Sequence, residues 1–268
     1  MIRMLWIDNF MFNGEEAALY RVKYLYELVD KFYICEKRYT HQGTEKKLYI
    51  DTMRSQFEPY LSKIEFAVDY SKPVSPLEDE ASHRNFCVSK ILNDYPETQF
   101  ILTVCNVDEI PDLEVMRAVK EGLYNKCAEG CIYMETKIFY YNLNWLWATK
   151  LPQPMPFVVN DILLKAHGNL QAFRDEKGPV FGTFECGWTF AYFMSALDII
   201  RKLESSARLE FNRLENKNPE IIMDSIINGA DFLRRDYVTI IKNEENKSKY
   251  PKEMLELNRA AMKAAFGI

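Results

Sequence analysis

Four polar side chains follow a buried apolar run near the middle of the chain. Residues 99–105 predict a fully buried strand, because the β-branched, aromatic and aliphatic side chains there show no polar alternation and Pro111 closes the run. In an open α/β sheet, the carboxyl ends of the strands border the ligand crevice. A metal ion or a polyanion could therefore be handled by the side chains that come next, Asn106, Asp108, Glu109 and Asp112.

Asp112 has a structural interpretation beside this chemical one. It precedes the helical pattern of residues 113–119, so its carboxylate suits a helix N-cap. A single acid suffices as a cap, and a buried strand end has no need of further acids. Asp108 therefore stays the candidate for ligand binding.

Asp112 also opens an alternative chemistry. Together with Glu135 and Lys137 it matches the Pro-Asp and Glu-x-Lys pattern of metal nucleases, and the period of a strand puts the latter two on one face. The charge balance opposes this alternative. The chain of 268 residues has a net charge of −5 and scattered lysines, so it has no basic surface for nucleic acid.

The positions of the cysteines and histidines limit which redox, zinc and catalytic-triad chemistries the chain could support. The six cysteines lie in apolar surroundings or lack redox and zinc spacing, which favours a reduced compartment. The three histidines are far apart in sequence, which weakens zinc and triad interpretations. The N-terminal apolar run is interrupted at Arg3 and Asp8, so we expect no signal peptide, no membrane span and a cytoplasmic location.

The elements that must position these residues alternate between strand and helix. Strands are predicted within residues 1–12, 32–35, 64–68 and 99–105, with helices near 13–30, 51–62 and 77–94 between them. This order predicts a Rossmann-like, mostly parallel sheet with right-handed crossovers, although G-x-G-x-x-G and Walker A patterns are absent. Further on, we expect strands at residues 131–141 and 157–164, a proline-rich loop at 151–156, and helices near 191–204, 219–233 and 252–265.

Two other stretches could contact a ligand. The polar segment Thr40–Lys47 follows the second strand and is centred on Gly43, so it predicts a mobile loop. Tyr141, Asn142 and Trp145 combine aromatic faces with an amide, which could form a platform for a sugar ring. Core packing of the aromatic side chains is the equally open alternative.

With these pieces placed, residues 10–235 resemble glycosyltransferase family 17, a family known for adding N-acetylglucosamine to N-glycans. The order and spacing of several short motifs carry the resemblance, and the motifs are Phe12-Asn-Gly-Glu15, Val29-Asp-Lys-Phe32, Glu36 with Thr40, Gly43 and Lys46 or Lys47, Glu80 with Arg84, Val107-Asp-Glu-Ile-Pro111, Tyr140-Tyr-Asn-Leu-Asn-Trp145, Gly187-Trp188 and Asn228-Gly229.

The resemblance implies a GT-A-type α/β fold in one domain, residues 1–268, and inverting transfer of a sugar from a UDP-sugar to a glycan acceptor. Its nucleotide-sugar half would be residues 1–125 and its acceptor half residues 126–268. The implied donor-binding residues are Glu36, Lys46, Glu80, Arg84, Asn106, Val107 and Asp108. The implied acceptor-binding residues are Tyr141, Asn142, Trp145 and Trp188.

The resemblance also implies a divalent cofactor, Mn²⁺ or Mg²⁺, held by Asp108 and Asn106. Asn106 replaces the first acid of the usual Asp-x-Asp motif and Thr189 replaces a histidine, so we expect weak metal binding, with Glu109 as a possible compensation. A catalytically inactive carbohydrate-binding protein is the alternative that these two replacements leave open.

Inverting transfer further needs a carboxylate that accepts the proton of the attacking hydroxyl. Glu185 suits this role best, because it lies between Phe184 and Cys186 and just ahead of Gly187-Trp188. Asp161, at the end of a predicted strand, is the second candidate. A solvated loop acid is the open alternative for both.

Overall fold

A computed structural model describes residues 4–148, 156–175 and 178–267. Apart from Pro156, the predicted proline-rich loop lies outside these residues. Among the described residues, no helix has both the length and the apolar composition needed to cross a membrane.

Strands and helices alternate through the first half, as the pattern predicted. The strands are β1 Leu5–Phe12, β2 Lys31–Lys37, β3 Ile64–Asp69, β4 Phe100–Asn106, β5 Glu109–Ile110, β6 Cys131–Tyr140, β7 Trp145–Trp147, β8 Phe157–Asn160, β9 Val180–Ala191 and β10 Ile240–Lys242. The α-helices are α1 Ala17–Leu25, α2 Tyr49–Met53, α3 Pro76–Asn85, α4 Val88–Asp94, α5 Leu113–Gly122, α6 Asp161–His167, α7 Leu170–Arg174, α8 Ala196–Ser205, α9 Pro219–Asn228 and α10 Lys252–Phe266.

The sheet is mixed and mostly parallel, with four parallel neighbours at one end of its strand order. Its strand order is β10-β7-β6-β8-β4-β1-β2-β3, and β9 pairs with β6 and β5. Strands β4, β1, β2 and β3 are parallel neighbours, so their carboxyl ends meet at one edge. Strand β8 joins β4 in the antiparallel direction and connects this Rossmann-like half to the second half of the chain.

Apolar side chains cover both faces of the central strands. Alternate residues of β1, such as Trp6 and Ile7, enter two different hydrophobic clusters. One cluster includes residues of α1, α5 and α10, and the other includes residues of α4, α6 and α7. Because a central strand such as β4 is buried on both faces, its sequence should show a continuous apolar run.

Element boundaries differ from the prediction where a local capping signal intervenes. The strand expected over residues 157–164 ends at Asn160, because the Asn160 side chain accepts the Leu163 amide hydrogen at 2.9 Å and starts α6. The helix expected over residues 77–94 is divided into α3 and α4. Helix α8 begins only after Ser195, whose hydroxyl caps it.

The cysteine pattern differs in one respect from the expectation of reduced thiols. Cys35, on β2, and Cys87, just ahead of α4, form a disulfide. The other four cysteines, Cys105, Cys127, Cys131 and Cys186, are free and buried.

Candidate functional site

A cleft of about 1090 Å³ opens at the carboxyl ends of the parallel strands. Phe12, Lys37 and Asn106, the last residues of β1, β2 and β4, all line it. Ligands in open α/β sheets bind at this edge, since the loops that leave the strands form a crevice there. The location confirms that the side chains following β4 lie at a ligand-sized opening.

Strand β9 fixes the turn that follows β4. Thr189 pairs with Glu109 across β9 and β5, and the Phe190 amide donates to the Asp108 carbonyl at 2.9 Å. Gly187 is required for this approach, because it has a φ of 81° and a Cβ there would lie 2.1 Å from the Ile110 carbonyl oxygen. The fold therefore holds the Asp108 backbone rigidly at the mouth of the cleft.

The carboxylate of Asp108 is already paired with a cation. Lys202, on α8, places its ammonium 3.1 Å from Asp108 Oδ2 and remains 31% exposed toward the cleft. Burial alone would lower the pKa of Lys202, but the negative charges of Asp108 and Glu15 raise it above its ordinary value. The ammonium therefore stays charged across the physiological pH range.

The two neighbouring polar residues of the turn are engaged as well. Glu109 is buried, accepts two hydrogen bonds from Arg174 and also accepts from the Asn106 amide. Arg84 donates to Asn106 Oδ1 at 3.3 Å and to Glu80 at 3.1 Å, and it is 2% exposed. Burial and the nearby Arg174 lower the pKa of Arg84 to about 10, so its guanidinium remains charged at neutral pH.

These contacts do not fit the donor set expected for a divalent metal. A hard cation prefers several free oxygen ligands, whereas Asp108 is held by Lys202 and Glu109 is held by Arg174. Asn106 directs its side-chain oxygen at Arg84. Among the residues that the structure describes, no three Asp, Glu, His or Cys side chains are grouped to hold a metal ion.

The loop Thr40–Lys47 lies beside the turn that follows β4, at the same cleft. The carboxylate of Glu36 is fully buried, accepts the Tyr49 and Ile50 amide hydrogens at 2.8 Å each, and pairs with Lys46. Glu36 thus anchors the loop and the start of α2, while Lys46 itself lines the cleft.

The structure separates the two candidate bases. Glu185 is exposed, lines the cleft and is the register partner of Glu135 on β6, which lines it too. Asp161 lies at the opposite end of β4, because β8 is antiparallel to β4. Its carboxylate accepts the Phe100 amide hydrogen at 3.3 Å and the Tyr124 hydroxyl at 2.5 Å, which is a structural role.

Most of the predicted acceptor platform points away from the cleft. Trp145 donates its indole N–H to the Ile226 carbonyl, and the buried Tyr141 donates to the Ala230 carbonyl. Asn142 is buried and accepts the Asn144 amide hydrogen. Trp188, in contrast, lines the cleft, and so do two aromatic residues of the same region outside the predicted platform, Tyr140 and Trp147.

Two functional candidates that the sequence did not indicate come from distant segments. Lys202 and Arg174 lie 94 and 65 residues from their acidic partners. No local pattern signals a pairing at such a distance. Arg235, in contrast, pairs at 2.8 Å with Asp231, four residues before it, and reaches the cleft beside Tyr140 and Trp147.

All three residues of the nuclease pattern line this cleft, but Asp112 and Lys137 are held by other contacts. Asp112 caps α5 by accepting the Glu114 and Val115 amide hydrogens at 2.9 and 3.2 Å, as its position predicted. Lys137 pairs with Glu245. Asp112 and Lys137 are therefore not arranged for phosphodiester chemistry.

The fold and this cleft define an α/β protein suited to an anionic ligand, held among cations at the carboxyl ends of parallel strands. Residues 3–235 match the family described as Glycosyltransferase family 17, so the chain belongs to that family and is a glycosyltransferase. The match confirms the resemblance seen in the motifs. No curated protein gives a significant match.

Proposed function

We propose that the chain is an inverting glycosyltransferase with a GT-A-type fold, which transfers a sugar, N-acetylglucosamine being the expected one, from a UDP-sugar to a glycan acceptor. The acceptor hydroxyl oxygen attacks the anomeric carbon, the bond from that carbon to the UDP oxygen breaks, and UDP leaves with the electron pair. The hydroxyl proton passes to the Glu185 carboxylate.

One observation carries this proposal: the family's cleft contains both a cationic group and an exposed carboxylate. Lys202 on α8 and Arg84 on α3 could face the diphosphate. Glu185 lies on the strand β9, near Trp188. A transferase of this kind needs a base on the acceptor side, opposite the leaving group. It also needs positively charged groups beside the negatively charged leaving group. Trp188 offers an aromatic surface on which an acceptor sugar could pack.

A panel of UDP-sugars tests the proposal. We expect slow release of UDP from UDP-N-acetylglucosamine, faster release when a glycan acceptor is added, and a product of β configuration from the α-linked donor. Nuclear magnetic resonance of the product distinguishes the two configurations. The same assay distinguishes a glycosyltransferase from a catalytically inactive sugar-binding protein, which would bind glycans without releasing UDP.

The sequence predicts assistance by Mn²⁺ or Mg²⁺ at Asp108, whereas the pairing of Asp108 with Lys202 does not favour it. If metal assists, UDP affinity should rise with manganese, and Asp108→Ala should abolish that increase. Because the donor set around Asp108 does not fit a metal, no step of the proposed reaction is routed through one.

A further inference from the structure

We propose that Lys202, supported by Arg84, donates the charge-assisted hydrogen bonds that stabilise the diphosphate of the leaving nucleotide, so that this transferase binds and uses its donor without a divalent metal. This inference deepens the proposed function and rests on it. It follows from the contacts of the turn after β4, where a metal would be expected.

The charges of the turn are balanced within the protein. Asp108 is matched by Lys202, Glu109 by Arg174, and Glu80 by Arg84. Asn106 adds no charge where a second acid would be needed. A divalent cation would have to displace the Lys202 ammonium from Asp108 and would then find one carboxylate, which is a weak site for a hard ion.

Neighbouring side chains restrict the position of Lys202 in the cleft. It stands on α8, an amphipathic helix whose Ile199 and Leu203 are buried. Its ammonium also lies 5.8 Å from the centre of the Tyr192 ring, which limits where the side chain can point. Asp108 acts here as a positioning residue that holds the ammonium at the cleft mouth.

The chemistry of the leaving group suits two fixed cations. When the bond to the anomeric carbon breaks, negative charge develops on the terminal phosphate oxygen of UDP. An ammonium and a guanidinium can donate charge-assisted hydrogen bonds to phosphate oxygens. Because Arg84 is held by Gln171, Asn106 and Glu80, it is already oriented before a donor arrives.

Calorimetry with UDP and with inorganic pyrophosphate tests the inference. For the unchanged protein, we expect UDP affinity to agree within about twofold in excess chelator and in manganese. Lys202→Met should weaken UDP binding at least tenfold, which is about 1.4 kcal/mol. Lys202→Arg, which keeps the charge, should retain most of the affinity.

A matched control comes from another lysine–aspartate pair. Lys120 lies 2.8 Å from Asp30 and is 22% exposed, but it does not line the cleft. Lys120→Met should therefore leave UDP affinity unchanged. A comparable loss in that variant would show that Lys202→Met acts through stability, and would overturn the specific role of Lys202.

Removing Lys202 should also create a metal response. In Lys202→Met the Asp108 carboxylate is free, so manganese should raise UDP affinity there, and more so in the double variant Asn106→Asp with Lys202→Met. UDP binding by the unchanged protein that requires manganese would overturn the inference. That measurement needs no variant, so it remains decisive if Lys202→Met does not fold.

The panel of ligands separates this inference from the proposed function. Suppose that UDP does not bind, but that pyrophosphate, or a nucleoside diphosphate other than UDP, binds in chelator and depends on Lys202. This result would refute the UDP donor and support the cation role. UDP binding that needs manganese would support the donor and refute the cation role. Failure of every diphosphate to bind would overturn both.

Discussion

At the scale of single residues, the proposed chemistry depends on where one carboxylate is exposed. Glu185 faces the cleft from β9, next to Gly187, whose lack of a side chain lets β9 approach the turn after β4. We expect Glu185→Gln to lower turnover by about two to four orders of magnitude, the range for a positioned base, while UDP affinity stays nearly unchanged. Steady-state kinetics and calorimetry on the same preparation measure both quantities.

Two other carboxylates serve as comparisons for that experiment. Glu135, the register partner of Glu185, tests whether any acid at this position of the sheet suffices, and Glu135→Gln should cost much less activity. Asp161→Asn should change stability through its contacts with Tyr124 and the Phe100 amide, and spare turnover of the folded protein. Near-normal turnover in Glu185→Gln would contradict the assignment.

At the scale of elements, the loop Thr40–Lys47 is connected to the helix that carries Lys202. The side-chain amide of Gln42 donates to the Leu203 and Ser206 carbonyls at 2.9 Å each. The backbone amide of His41 donates to the Ser205 carbonyl at 3.1 Å. These acceptors follow Lys202 at the end of α8. A ligand that engages Lys202 should therefore also steady the loop.

We expect this loop to exchange its amide hydrogens more slowly when UDP is added. Closure over a donor would exclude water and protect the donor from hydrolysis. Hydrogen exchange followed by mass spectrometry measures the change, with α4, which does not line the cleft, as the internal control. Unchanged exchange in the loop at saturating UDP would contradict a closing role.

At the scale of the whole molecule, a buried histidine couples stability to pH. Burial and the nearby His41 and Lys37 lower the pKa of His83 to about 3, although its ring nitrogen contacts the Cys35 carbonyl at 2.9 Å and Asp79 lies near. The folded protein thus keeps His83 neutral, whereas the unfolded chain protonates it below about pH 6.5. Stability is therefore full above that pH and falls as the pH decreases toward 3.

This coupling predicts a loss on the order of 2 kcal/mol in the free energy of unfolding between pH 7 and pH 4.5. His83→Gln removes the titrating group and should reduce that loss, even if the variant is less stable at pH 7. Urea unfolding at the two pH values measures the difference. An equal loss in both proteins would show that other groups, such as the carboxylates around Lys37, dominate the pH dependence.

Local patterns in the sequence were sufficient for the elements and for part of the site. The apolar run of β4 and the N-cap at Asp112 depend only on neighbouring residues, and the structure confirms both. The polar residues after β4 line the cleft because parallel strands end at one edge, and the Glu80–Arg84 pair of α3 and Glu185 of β9 line it as well. The family itself followed from short motifs kept in order along the chain.

Tertiary structure decided the charge state of the site and the direction of its side chains. The partners of Asp108 and Glu109 arrive from α8 and α7, and such pairings depend on how the chain folds back rather than on local sequence. Tyr141 follows β6 with a φ of 65°. Tyr140 and Trp147 line the cleft, whereas Tyr141 and Trp145 do not. Asp161 lies far from the cleft because β8 runs antiparallel to β4, and strand direction is a property of the assembled sheet.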